Sequence, residues 1–168
     1  ELDAAFGDRA HAIHYAFKAN STLAIVRLLK RLGAHADANS MGEVDVALRC
    51  GFAPHEIVFT GVGKSRDELE RAVMLGVHAI NVESPGELDR LDQLAAARGV
   101  QARVALRVNP DIDAQSHPHI STGLRDNKFG VPIAIARDLV TDMARRAGLR
   151  IEGINFPGHF LVRLQHPY

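Results

Sequence analysis

The sequence has few features that would indicate a location outside the cytoplasm or binding to a highly charged partner such as a nucleic acid or a membrane surface. Cys50 is its only cysteine, so no intrachain disulfide can form and a reducing cytoplasm is the simplest location to expect. Lys and Arg together number 20, as do Asp and Glu, and this balance gives no indication of a nucleic-acid or membrane-surface partner. No apolar run approaches the roughly 18 residues of a membrane-spanning helix. Residues 1–6 also lack the basic and apolar regions of a signal peptide.

The sequence does contain a repeated pattern of strand and helix. Hydrophobic residues make up 46% and charged residues 24% of the chain, as is ordinary for a soluble globular domain. An apolar run rich in strand formers is followed by a polar turn, a stretch with helical spacing and a glycine. Ser65 to Glu68 and Ser84 to Glu87 each predict a capping box at a helix start. The predicted strands are 12–17, 36–39, 57–60, 79–82, 103–108 and 151–156.

This alternation predicts an α/β fold with a parallel sheet and right-handed crossovers. The early strands begin about 21 to 25 residues apart, which favours a (β/α)8 TIM barrel over an open doubly wound sheet. About six βα units are visible where a closed barrel needs eight, so we expect an incomplete barrel. We assign residues 1–156 to this partial barrel and residues 157–168 to a divergent tail.

Active sites of such barrels lie at the carboxyl ends of the strands. This rule selects a small polar set from the chain: Lys18, Asn20, Asp37, Ser40, Glu43, Thr60, Gly61, Lys64, Glu83, Ser84, Arg107, Asn109 and Asp111.

Lys18 is the sharpest candidate in this set. It ends an apolar segment and has the uncharged neighbours Phe17 and Ala19, so we expect it to be partly desolvated. Desolvation disfavours the ammonium form, and the neutral amine can attack a carbonyl, as Schiff-base lysines do. The alternative is a lysine at the strand rim that pairs with Asp37 or Glu43.

Asp37 and Glu43 form a second candidate group, because both are expected at the barrel mouth. Carboxylates beside a lysine can hold its charge, orient it or move protons. The alternative is a simple ion pair, with Glu43 serving as a favourable charge at a helix start.

Two other patterns are weaker indications of a functional site. The polar loop of about residues 109–130 is long enough to be functional. His117 and His119 within it lack a cysteine or carboxylate at ligand spacing, so we expect no metal site. Gly61-Val62-Gly63-Lys64-Ser65 ends as a phosphate-binding P-loop does, but its early positions do not match. We therefore expect Gly63 and Lys64 to shape a turn.

Five segments in order along the chain stand out as motifs. The most specific is His117-Pro118-His119-Ile120-Ser121-Thr122-Gly123 followed by Lys128-Phe129-Gly130. The others are Tyr15-Ala16-Phe17-Lys18-Ala19-Asn20-Ser21, Asp37-Ala38-Asn39-Ser40-Met41-Gly42-Glu43, Phe59-Thr60-Gly61-Val62-Gly63-Lys64-Ser65 and Leu106-Arg107-Val108-Asn109-Pro110. Together they resemble the motifs of the diaminopimelate decarboxylase family, which belongs to the alanine-racemase-like (fold type III) pyridoxal phosphate enzymes.

The resemblance implies a pyridoxal 5′-phosphate cofactor bound to Lys18 as a Schiff base. Asp37 and Glu43 would lie near Lys18 and the pyridine ring, and Arg107 would help to hold the ring or its neighbours. The implied reaction is decarboxylation of meso-2,6-diaminopimelate to L-lysine, the last step of lysine biosynthesis. In the family, a C-terminal β-domain supplies a Cys and a Tyr across a homodimer interface, and we expect this domain to be absent here.

One departure from the family pattern concerns the sixth strand, which should end in His-x-Gly-Ser with the histidine stacked on the cofactor. Here Pro157 stands at that position, and His159 would replace the histidine only if the strand end were rebuilt. Two alternatives to an active decarboxylase therefore remain: a non-enzymatic pyridoxal phosphate-binding barrel protein and an inactive fragment. We predict little or no decarboxylase activity for the isolated chain.

Overall fold

The computed structural model describes residues 2–109, 129–156 and 160–163. Strands alternate with helices through most of this part. The strands are β1 (His14–Ala16), β2 (His35–Ala38), β3 (Ile57–Phe59), β4 (Ala79–Val82), β5 (Ala102–Asn109), β6 (Val131–Pro132), β7 (Leu149–Phe156) and β8 (Phe160–Arg163). The helices are α1 (Leu2–Ala5), α2 (Leu23–Arg31), α3 (Met41–Arg49), α4 (Arg66–Leu75), α5 (Pro85–Arg98) and α6 (Ile133–Met143), with a 3₁₀ turn at Pro54–Glu56.

The strands form one sheet in the order β1-β2-β3-β4-β5-β7-β8, with β6 beside β5. Strands β1 to β5 pair in parallel in that order, and β7 is parallel to β5. All six predicted strands are therefore present, and they pair in chain order as in a (β/α)8 barrel. The described residues form five strand-helix units and a sixth parallel strand, so the predicted α/β fold and the incomplete barrel are confirmed. The short strand β6 and the antiparallel strand β8 were not predicted.

The sheet has one apolar and one polar face. Side chains alternate across a strand, and one set packs against the helices in a continuous core that includes Phe59, Leu69, Leu91 and Leu106. The alternate positions carry Val58, Ala79 and Ala105 together with a set of buried polar side chains: Asp37, Thr60, Asn81, Asn109 and Asn155. The polar face is therefore the interior of the incomplete barrel.

Helix starts follow the predicted capping chemistry in one case and depart from it in another. Ser65 accepts a hydrogen bond from the Glu68 amide, and the Glu68 carboxylate accepts one from the Ser65 amide, which completes the predicted capping box. Ser84 accepts from the Glu87 amide, but the Glu87 carboxylate does not bind the Ser84 amide. It binds Lys64 and the amide of Glu83, because a buried ammonium is a stronger partner than a second backbone donor.

Ion pairs between side chains on the outer surface connect successive helices. Asp45 on α3 pairs with Arg71 on α4, and Glu70 on α4 pairs with Arg98 on α5. Asp89 on α5 pairs with Arg146, which follows α6. None of the described helices is long and apolar enough to cross a membrane.

Candidate functional site

Lys18 lies in the turn that follows β1, and its side chain is exposed. The ladder with β2 continues one residue beyond β1, since the Phe17 amide donates to the Asp37 carbonyl at 3.0 Å. Phe17 is buried, and the chain then turns away through Lys18 and Ala19. The expectation that Lys18 is partly desolvated is therefore wrong for the chain alone, because its side chain lies beyond the last ladder bond.

Lys18 also lacks the ion pair that the alternative interpretation required. Within the described ranges, it forms no hydrogen bond or ion pair with another side chain. The Asp37 carboxylate instead accepts a hydrogen bond from Thr60, and the Glu43 carboxylate accepts one from the Asn39 amide at 2.7 Å. Both acids are thus engaged with other groups.

Asp37 is part of a buried hydrogen-bonded chain that crosses three strands. The Thr60 hydroxyl donates to Asp37 Oδ1 at 2.5 Å, and Asn81 Nδ2 donates to Thr60 Oγ1 at 2.9 Å. The relative exposures of Asp37, Thr60 and Asn81 are 6%, 3% and 1%. Asp37 therefore lies on the barrel interior, as predicted from its position at the end of the second strand.

Glu43 serves the start of α3. The Ser40 hydroxyl accepts from the Glu43 amide, and the Glu43 carboxylate reaches back to the Asn39 amide. This arrangement matches the alternative interpretation, in which Glu43 is a helix-start charge. Because the Glu43 carboxylate holds the backbone of Asn39 in place, we expect Glu43 to influence a bound ligand through Asn39.

Arg107 and Glu83 form a largely buried ion pair at the ends of β5 and β4. Arg107 Nη1 is 2.7 Å from Glu83 Oε1, and the guanidinium lies 5.4 Å from the centre of the Phe129 ring. The second Glu83 oxygen accepts from the Gly130 amide at 3.0 Å. Glu83 thus fixes both Arg107 and the point at which the chain returns to the sheet. The sequence rule selected Glu83 by position but indicated no role for it.

Lys64 has a role that the sequence did not reveal. It is buried, and its ammonium lies 2.9 Å from Glu87 Oε1 and 2.8 Å from the Asn81 carbonyl. The other Glu87 oxygen accepts from the Glu83 amide at 2.8 Å. Lys64 therefore anchors the end of β4 through Glu87 and the Asn81 carbonyl.

Three buried polar atoms find no hydrogen-bond partner among the described residues: Asn39 Nδ2, Asn81 Oδ1 and Arg107 Nε. Asn39 directly follows β2, and the other two atoms belong to β4 and β5. Buried polar groups are rarely left unsatisfied in native proteins. Two donors and one acceptor near the carboxyl ends of three strands therefore indicate a place where a small polar ligand can bind.

A separate histidine group lies at the opposite, amino ends of the strands. The His14 ring is 4.9 Å from the His35 ring and 6.0 Å from that of His78, measured between centroids. Burial lowers the pKa of His14, and the bond to the Ala36 carbonyl opposes this shift. Burial also lowers the pKa of His35. No group of three or more His, Cys, Asp or Glu side chains in the described part is arranged to hold a metal ion.

Several residues singled out in the sequence lie outside the described residues. They are Asp111, His117, His119, Ser121, Thr122, Gly123, Lys128, Pro157 and His159.

Comparison with known proteins gives one consistent family. The family model described as "Pyridoxal-dependent decarboxylase, pyridoxal binding domain" matches residues 1–159. A diaminopimelate decarboxylase of Pseudomonas aeruginosa is 49% identical over 145 residues, which is 86% of this chain and 35% of that protein. The enzyme of that name from Vibrio cholerae is 45% identical over 154 residues, covering 92% of this chain and 37% of the relative.

A solved structure gives the same result. The crystal structure of diaminopimelate decarboxylase from Helicobacter pylori complexed with L-lysine aligns with a TM-score of 0.88 and 44% identity. It covers 92% of this chain and 39% of that structure. The chain thus spans little more than a third of the length of these relatives.

Proposed function

Because the chain belongs to the pyridoxal-dependent decarboxylase family, we propose that it forms the cofactor-binding part of an enzyme that converts meso-2,6-diaminopimelate to L-lysine and carbon dioxide. The relatives in Pseudomonas aeruginosa and Vibrio cholerae bear the name diaminopimelate decarboxylase, and the Helicobacter pylori structure contains L-lysine. These matches favour a decarboxylase over a non-enzymatic barrel protein.

The proposal depends on which lysines already form ion pairs with carboxylates. The sequence contains four of them. Lys30 is bound to Glu56 and Lys64 to Glu87, while Lys18 has no such partner within the described ranges. A lysine that bonds covalently to a cofactor aldehyde needs an amine that no carboxylate holds as ammonium. Among the described lysines, Lys18 alone meets this condition.

Residues at the same carboxyl ends of the strands as Lys18 fit pyridoxal 5′-phosphate. The cofactor carries phosphate and phenolic oxygens that accept hydrogen bonds, and Asn39 Nδ2 and Arg107 Nε are buried donors without partners in the described part of the chain. The polar barrel interior also supplies a carboxylate, Asp37, which lies opposite Ala16, two residues before Lys18. The donor set thus suits an anionic aromatic ligand.

Each residue of the proposed site has a distinct task. Lys18 holds the cofactor, Asp37 orients the lysine or exchanges a proton with it, and Arg107 supports the ring or its neighbours. Glu43 acts through Asn39, whose backbone N–H donates to the Glu43 carboxylate. When bound, the cofactor ring supplies an electron sink for the charge left by the departing carboxylate.

Reductive labelling tests the cofactor assignment directly. The chain is mixed with pyridoxal phosphate, reduced with borohydride and digested, and the labelled peptide is mapped. We expect the label on Lys18, its loss in Lys18→Arg and its retention in the matched control Lys30→Arg. A label on other lysines with Lys18 unmodified would contradict the proposal.

Turnover tests the substrate assignment. The isolated chain is expected to release little or no carbon dioxide from meso-diaminopimelate, because it spans little more than a third of its relatives. A chimera in which it replaces the matched segment of the Pseudomonas aeruginosa relative should release carbon dioxide and form L-lysine. A folded chimera that binds the cofactor but leaves the substrate unchanged would exclude this substrate.

Three broader assignments belong to the same proposal. We propose that residues 1–156 are a part of the cofactor-binding barrel, that the enzyme acts in the cytoplasm, and that it is a homodimer. The proposed location rests on the single cysteine, Cys50, which leaves no partner for an intrachain disulfide, and the dimer rests on the family resemblance. Sedimentation of the chimera should give twice the mass of one chain, and a monomer that turns over substrate would refute the dimer.

A further inference from the structure

We propose that Thr60 and Asn81 are positioning residues that orient the Asp37 carboxylate toward Lys18. This proposal rests on the proposed function, because Asp37 has a task only if Lys18 holds the cofactor. It adds two residues to which the sequence motifs assigned no role.

The direction of the hydrogen bonds follows from the chemistry of the three side chains. An ionised carboxylate only accepts hydrogen bonds, so the Thr60 hydroxyl proton lies on the 2.5 Å bond to Asp37 Oδ1. The remaining lone pairs of Thr60 Oγ1 accept from Asn81 Nδ2 at 2.9 Å. Asn81 therefore keeps the Thr60 proton directed at Asp37, and the two bonds reinforce one another in this buried setting.

The consequence for Asp37 is a fixed carboxylate. With Oδ1 held on the side of β3, rotation about the Cβ–Cγ bond is restricted and the direction of Oδ2 is set. The backbone of Asp37 is fixed as well, because its carbonyl accepts from the Phe17 amide at 3.0 Å. Since Lys18 directly follows Phe17, this bond fixes the backbone of Asp37 relative to the start of the turn that carries Lys18.

The unmatched oxygen of Asn81 supports a role at the site rather than in packing. Asn81 is 1% exposed, yet its Oδ1 has no donor among the described residues. A purely structural position would be filled more favourably by an apolar side chain, since an unsatisfied buried polar atom is costly. The Asn81 side chain is explained if its Nδ2 donates to Thr60 and its Oδ1 faces the ligand.

The test compares Thr60→Val, which removes the hydroxyl at nearly constant shape, with Thr60→Ser, which keeps it. The readout is the initial rate of borohydride-trapped pyridoxal phosphate attachment at Lys18, measured by peptide mapping at limiting cofactor. We expect a loss of about tenfold in Thr60→Val, as for a charge-assisted hydrogen bond, and near-complete rescue in Thr60→Ser. Thr141→Val is the matched control, because Thr141 binds only a carbonyl on the exposed surface of α6.

A double-mutant cycle separates positioning from stability. If Thr60 acts through Asp37, Asp37→Asn alone and together with Thr60→Val should show similar rates rather than multiplied losses. Thermal unfolding monitors folding, and should Thr60→Val not fold, Asn81→Ala replaces it with an expected loss of about two- to threefold.

The outcomes are distinguishable. Equal labelling rates in the parent chain and Thr60→Val, or multiplied losses in the cycle, overturn this proposal and leave the proposed function intact. A parent chain without label on Lys18 overturns both.

Discussion

The buried pair of Lys64 and Glu87 provides the sharpest stability prediction. The two side chains are 2% and 4% exposed and their charged atoms are 2.9 Å apart. Each has one further backbone partner: the Asn81 carbonyl binds Lys64, and the Glu83 amide binds Glu87. Replacing either residue leaves a buried charge whose remaining partner is a single backbone group.

The expected loss of stability is large because the remaining buried charge keeps only one backbone partner. Removing one member of a buried ion pair typically costs about 3–5 kcal/mol, so Lys64→Met and Glu87→Gln should each lower the free energy of unfolding by about that amount. The double variant removes both charges, and its glutamine can still accept from the Glu83 amide. We therefore expect the double variant to be more stable than the sum of the single losses by at least about 2 kcal/mol.

Urea unfolding followed by circular dichroism measures these differences. Arg71→Met is the matched control, because Arg71 also pairs with an acid on a neighbouring element but lies on the surface. Its loss should be far smaller, because an exposed ion pair contributes little to stability. A loss below about 1 kcal/mol in Lys64→Met, or strict additivity in the double variant, would refute the view that the pair is a coupled buried unit.

Two further predictions concern the backbone and the pH dependence of stability. Gly61→Ala should cost about 2–4 kcal/mol of unfolding free energy, since Gly61 has φ +104° and an added Cβ would lie 2.4 Å from the Asn39 carbonyl oxygen. The control Gly63→Ala meets nothing within 4 Å and should cost about 1 kcal/mol, with chemical unfolding as the measurement and equal costs as the contradicting result. His14 and His35 have pKa values below the ordinary 6.5, so the unfolded chain takes up protons first as the pH falls. The contribution of these two histidines to stability should therefore be constant well above the ordinary pKa of 6.5 and decline below it until the folded state also titrates. His14→Gln should flatten that decline in thermal unfolding scans, and an unchanged profile would exclude this cause.

The strand-helix alternation could be read from the sequence because each unit carries its own local signals. The strand Ala79–Val82 has the predicted bounds, and Gly76 ends α4 in the left-handed conformation expected of a glycine there. Such signals depend on residues a few positions apart, so the sequence contains them completely.

Contacts across the sheet were predicted less well. Leu23 and Val26 are three residues apart on α2 and therefore share a helix face, yet Val26 is buried while Leu23 is 41% exposed. Periodicity shows which residues share a face of a helix but not how much of that face is covered. Lys64 was assigned to a turn for the same reason, since its partner Glu87 is 23 residues away and no local pattern joins them.

The candidate site shows the same contrast between positions that local sequence predicts and contacts that depend on distant residues. The positions of Lys18, Asp37 and Arg107 at strand ends followed from the barrel rule, but their partners did not. Glu83, which holds Arg107, and Thr60, which holds Asp37, were selected only as polar residues after strands. Their roles depend on side-chain direction and register, and these are fixed only when neighbouring strands pair.

The surface ion pairs between helices have a common polarity. Helix α4 presents the base Arg71 to the preceding helix and the acid Glu70 to the next, and α5 repeats this order with Arg98 and Asp89. Each pair contributes little stability at the surface, but the order is directional. Two helices with this order could be exchanged without bringing like charges together, whereas a helix with the reverse order would meet a like charge on both sides. A recombined chain should therefore be somewhat more stable when a foreign unit keeps this acid-to-base direction.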